Sequence, residues 1–102
     1  MSPQMKAAFI VGVPGSDPTK DRSKITGELV ELTSVYVNDR NQAVEVAQQL
    51  ADEGCELIEL CSSFGHSAAG KIADAVRGKA AVGVCRFDLT PAFFGKSADE
   101  VF

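Results

Sequence analysis

The chain contains no tryptophan, one tyrosine, one histidine and three cysteines among its 102 residues, and each shortage narrows what it can be. Cys55, Cys61 and Cys85 are odd in number, irregularly spaced and without a CxxC pair. That argues against a disulfide scaffold and points to a reducing, cytoplasmic setting. Long hydrophobic runs are missing too: the longest are strand-sized, far short of the ~20 residues that span a bilayer. Met1 to Lys6 lack the basic run, apolar core and cleavage site of a secretory leader. Positive charge is also short. Ten Lys+Arg against 14 Asp+Glu leave a net charge of -4, which disfavours a protein that must neutralise phosphates along a nucleic acid or dock on an acidic membrane.

What remains is ordinary globular material. Hydrophobic residues make up 45% and charged residues 24% of the chain, and the length fits a single α/β domain spanning residues 1–102. Ala7 to Val13, Leu57 to Cys61 (broken only by Glu59) and Ala80 to Cys85 are short apolar runs bounded by Gly or charged residues. They suit strands buried on both faces of a parallel sheet. Leu29 to Val37 mixes apolar and polar positions and reads as an edge strand.

Ala43, Val44, Ala47, Leu50 and Ala51 recur at helical spacing, with Asn38 or Asp39 able to cap the start and Gly54 the end. Ala69, Ile72, Ala73 and Val76 form a second helical stripe that Gly78 stops. Asp17-Pro18 opens a loop or short helix through Lys24, and Ser97 and Glu100 have capping-box spacing. The expected fold is therefore α/β: a four-stranded, mainly parallel sheet in the order β-β-α-β-α-β, with two main helices and a short helix optional between the first two strands. Crossovers advancing in one direction place both helices on one face. The other face then needs a cover, supplied by a neighbouring copy in a homo-oligomer or by the phenylalanine-rich tail (Phe87, Leu89, Phe93, Phe94, Phe102) folding back.

Ligands of open α/β sheets bind beyond the carboxyl ends of parallel strands, where helix N-termini present free N–H groups. That rule gathers Gly15 after the first strand, and Cys61, Ser62, Ser63, Gly65, His66 and Ser67 after the Leu57 strand. Arg86 and Asp88 join them after the Ala80 strand. Ser62, Ser63 and Ser67 offer hydroxyls, Gly65 permits close approach and Arg86 can clamp a carboxylate; the same serines also suit a solvated capping loop. His66 is the evident proton carrier, or else a surface residue at a helix start. Cys61, at a strand end beside a helix N-terminus, is either a nucleophile or a small buried hydrophobe. Asp88 can orient His66 or act as a base, and Glu59, interrupting an apolar strand, should pair with a cation such as Arg86 or face a polar cavity.

Gly65-His66-Ser67-Ala68-Ala69-Gly70-Lys71 matches G-x-x-x-x-G-K, but Ile72 stands where a magnesium-binding hydroxyl is required, so no nucleotide cofactor is expected. Cys61, His66 and Cys85 lack a recognisable ligand pair and a fourth ligand, so no metal is expected either.

At Glu56-Leu57-Ile58-Glu59-Leu60-Cys61 with Phe64-Gly65, and again at Val82-Gly83-Val84 with Arg86-Phe87, the chain resembles a family of short, mostly bacterial proteins carried as a domain of unknown function. The likeness extends from Ala7-Ala8-Phe9-Ile10 to Gly95-Lys96-Ser97. It implies a small α/β fold and no established activity. Ser62 and Ser63 stand where the family has glycines, and His66 where it often has proline. The leading expectation is a small cytoplasmic enzyme acting by proton transfer on a small anionic or carbonyl-containing metabolite, with catalytic candidates Glu59, Cys61, His66 and Asp88. The alternative is a noncatalytic small-ligand-binding or oligomeric interaction module using the same rim.

Overall fold

The computed structural model describes residues 4–87 and 94–102. Asp88, Leu89 and Phe93 therefore lie outside the described residues. Strands β1 (Met5–Gly12), β2 (Arg22–Thr26) and β3 (Val30–Val37) come first, followed by α1 (Arg40–Asp52), β4 (Leu57–Leu60), α2 (His66–Ala75), β5 (Ala81–Val84) and α3 (Ala98–Val101). One five-stranded sheet results, in the order β2-β3-β1-β4-β5. β3, β1, β4 and β5 run parallel, and β2 joins the edge antiparallel to β3.

The α/β fold with a mainly parallel sheet is the one the sequence predicts, with one strand more. Arg22–Thr26 is an edge strand where a loop or short helix was expected, and it displaces β3 from the edge. All five of its residues are exposed, so it carries no apolar pattern to read; its pairing with β3 comes from the ladder and the hairpin at Gly27, whose N–H donates to the Val30 carbonyl at 3.0 Å.

β3 reaches β4 across β1, and β4 reaches β5 directly, so both crossovers advance the same way and both helices lie on one face. That face carries Ala8, Ile10, Val35, Val37, Ile58 and Leu60, which pack with Val46, Ala47 and Leu50 of α1 and Ala68 and Ile72 of α2. Each large side chain buried there contributes about 1.5–3 kcal/mol. α1 starts where the sequence allows it: the Asp39 carboxylate accepts the Gln42 N–H at 2.8 Å, and Gln42 Oε1 accepts the Asn38 N–H at 2.6 Å. Beyond its end Gly54 takes φ +99°, the left-handed turn that glycine adopts without strain. No helix among the described residues is long and apolar enough to cross a membrane.

The end of the chain folds back on the protein. The ring of Phe102 meets that of Phe64 edge to face at 5.4 Å, above the C-terminal end of β1. It approaches Gly12 so closely that a Cβ there would lie 2.5 Å from the ring. Phe102 thus covers the rim of the sheet.

Candidate functional site

Because β1, β4 and β5 are parallel neighbours, Gly15, Ser62 and Arg86, which follow their carboxyl ends, share one edge of the sheet. A cavity of about 360 Å³ opens on that edge between the β4–α2 loop, the end of β5 and the segment 95–98. Its volume is within the range of small-molecule sites. Ser62, Gly65, His66 and Arg86 all line it, so the structure brings these sequence candidates together. Phe64, Ala69, Val84 and Phe87 supply apolar wall.

The other candidates go elsewhere. Ser67 lies one residue inside α2 from His66, where its N–H donates to Asp99 Oδ2 at 3.2 Å and its hydroxyl accepts from Arg40 Nη1 at 3.4 Å. Cys61 and Ser63 stitch the loop to β1. The Cys61 sulfur accepts the N–H groups of Gly12 and Ser63 at 3.3 and 3.4 Å, and the Ser63 hydroxyl donates to the Gly12 carbonyl at 3.3 Å. Gly15 sits on the β3 side of the rim, its N–H donating to Asn38 Oδ1. Its φ of +88° identifies it as a turn glycine.

Glu59 does not pair with Arg86. Residues alternate between the faces of a strand, so with Ile58 and Leu60 buried beneath the helices Glu59 projects from the opposite face, where it is exposed. It forms no ion pair among the described residues.

The structure adds residues that sequence reasoning passed over. Lys96 and Ser97 enter the cavity from the tail, and Cys85, a free thiol, is exposed on its wall. Gly95-Lys96-Ser97 carried a signal, a cation beside a capping serine, but nothing in the linear pattern tied it to a loop some 30 residues upstream. The tie is α3. Ser97 caps it, with its hydroxyl accepting the Asp99 N–H at 3.2 Å. Arg40 of α1 then holds it, donating to the carbonyl oxygens of Asp99 and Phe102 at 3.5 and 3.4 Å.

Charge is distributed unevenly about this cavity. Arg86, Lys96 and His66 line it, and no Asp or Glu does so among the described residues, although the chain as a whole is acidic. Neither Arg86 nor Lys96 forms an ion pair among the described residues. No group of three His, Cys, Asp or Glu side chains among them is placed to hold a metal.

The chain belongs to a family of unknown function (DUF6506), whose model matches residues 5–100. No curated protein and no solved structure matches it.

Proposed function

We propose that this member of the family is a binding domain for a small anionic metabolite, a carboxylate or phosphate, held at the C-terminal rim of its sheet. The observation that carries the reading is the convergence of Arg86 and Lys96, with His66 beside them, on one 360 Å³ cavity free of acidic lining among the described residues. A guanidinium grips a carboxylate or phosphate through paired N–H donors, and Lys96 adds a mobile point charge. The hydroxyls of Ser62 and Ser97 line the same space and offer further donors. Phe64 and Phe87 form an apolar wall against which the carbon skeleton of a metabolite would rest.

Binding fits the geometry better than proton-transfer catalysis. Of the catalytic candidates among the described residues, His66 alone lines the cavity: Cys61 has its sulfur engaged by two amides, and Glu59 projects from the far face. The proposed setting is the cytoplasm, where the free thiols Cys55, Cys61 and Cys85 would remain reduced.

Titration calorimetry of the full chain with inorganic phosphate and with malonate tests the proposal. Saturable binding of either probe is expected, weakened at least about tenfold by Arg86→Gln or Lys96→Gln. Binding that ignores both substitutions, or the failure of both probes to bind, overturns it.

A further inference from the structure

We infer that the open face of the sheet joins two copies of this chain face to face, about a two-fold axis running along β1. The helices cover only one face. On the other, alternation places Phe9 and Val11 of β1, Leu32 and Tyr36 of β3, Ile25 of β2 and Leu57 of β4. Ile25 is 66% exposed and Tyr36 45%, while Phe9, Val11, Leu32 and Leu57 are half-buried. The described part of the tail is committed to the rim through Phe102 and Phe64, so it leaves this face bare.

The size of the face fits a second copy. Five strands ~4.8 Å apart and an eight-residue β1 rising ~3.3 Å per residue outline roughly 20 by 25 Å, about 500 Å² in projection and more over the relief of the side chains. A standard interface takes ~800 Å² from each partner, and an apolar patch of several hundred Å², the largest that a typical monomer exposes, is often functional. Two sheets stacked ~10 Å apart, with strands nearly aligned, bury such faces together.

The polar residues on the face choose the axis. The register aligns Ser23, Ser34, Phe9, Glu59 and Gly83 in one row across β2, β3, β1, β4 and β5. An axis across the strands through this row sets each Glu59 against its own copy, bringing like charges together. An axis along β1 exchanges the two sides of the sheet. Phe9 then meets the partner's Phe9, Glu59 lies over the partner's Ser34, and Gly83, with no side chain, lies beneath the partner's Ser23. The Glu59 carboxylate gains two hydroxyl donors and no opposing charge. This pairing supplies a role for a carboxylate that the rim does not use, and it is independent of anion binding.

Sedimentation equilibrium of the full chain tests the inference. The expected mass is twice 10.8 kDa. Ser34→Asp, which sets a carboxylate against the partner's Glu59, should weaken the dimer at least about tenfold, while Ser34→Lys, which sets an ammonium there, should preserve or tighten it. Tyr36→Lys, at a half-exposed position that tolerates charge in the monomer, should also weaken assembly. Phe94→Ser, at a 92% exposed residue of the tail, should leave it unchanged. A monomer at about 100 μM, which exceeds the Kd range of specific interfaces, overturns the inference. So does an assembly of any size that ignores both Ser34→Asp and Tyr36→Lys, or equal weakening by Ser34→Asp and Ser34→Lys.

Discussion

Asp99 caps helix α2 from 32 residues further along the chain: its Oδ2 accepts the Ser67 N–H at 3.2 Å. Gly65, the residue at the N-cap position of α2, has no side chain for the task. The tail supplies the missing carboxylate, Arg40 lies 3.6 Å from its other oxygen, and the positive end of the helix dipole favours the charge. The anion expected at this helix start is thus in part the protein's own. The cavity for an external anion lies beside it, toward Arg86 and Lys96.

Asp99→Ala should therefore destabilise the protein by about 1 kcal/mol, as the loss of a helix cap does, and loosen α3. Urea unfolding measures the first effect. Faster amide exchange at Phe102, whose N–H donates to the Ala98 carbonyl at 2.9 Å, measures the second.

Gly65→Ala should act through the same contact. A Cβ on Gly65 would lie 2.4 Å from the Asp99 carboxyl carbon, so the carboxylate must leave the helix end. The cost of Gly65→Ala should resemble that of Asp99→Ala, and the double variant should cost little more than either alone, since both remove one interaction. Additive losses in a double-mutant cycle would separate the glycine from the cap.

How far the sequence discloses this arrangement depends on what each segment must bury. β1, β4 and β5 are legible because they are apolar runs between breakers, and α1 because its stripe and its Asp39 cap agree. β2 is illegible for the opposite reason: fully exposed, it owes its state to the hydrogen bonds of β3. At the rim, Ser62, Gly65, His66 and Arg86 follow from the rule that parallel strands present their carboxyl ends to ligands. Lys96 does not, since it reaches the cavity only because Arg40 and Ser67 pin the tail. Glu59 shows a limit of the linear pattern, which does not tell a strand covered on both faces from one covered on a single face. Its strand is buried beneath helices on one face only, so the interruption needs no cation at the rim.

Leu60→Ala should be among the most damaging single changes. Leu60 has no exposed surface, lies between β1 and β5 and packs in the cluster shared with both helices. Truncation leaves a cavity at the end of β4 from which the binding loop departs, and a loss of 2–5 kcal/mol is expected in urea unfolding.

The three thiols should alkylate in a fixed order. Cys85 is exposed, Cys61 is half-buried with its sulfur held by two amides, and Cys55 is buried. Burial above all, with the negative charges of Glu56, Glu31 and Glu53, pushes the Cys55 thiol above its ordinary value of 9.0, against a smaller opposing hydrogen bond from the Leu57 backbone. Iodoacetamide at pH 8 with peptide mapping should find Cys85 first and Cys55 last. If phosphate occupies the cavity whose wall Cys85 shares, it should slow Cys85 alone.

Asp17 gives the turn before β2 a dependence on acid. Its Oδ1 accepts the Thr19 hydroxyl at 2.7 Å and the Thr19 N–H at 2.9 Å, and these bonds, the hydroxyl first, hold its carboxyl below the ordinary value of 3.8. A carboxylate favoured in the folded state stabilises that state above its unfolded pKa, and the contribution is lost as pH falls through the lower folded value. Carboxyl-carbon NMR should place the Asp17 midpoint under 3.8. Thr19→Val, which removes the hydroxyl bond and keeps the amide, should move that midpoint up toward the ordinary value, and an unmoved midpoint would show that the backbone bond alone sets the shift. Asp17→Asn should flatten the turn's response to acid, read as the pH dependence of amide exchange at Thr19.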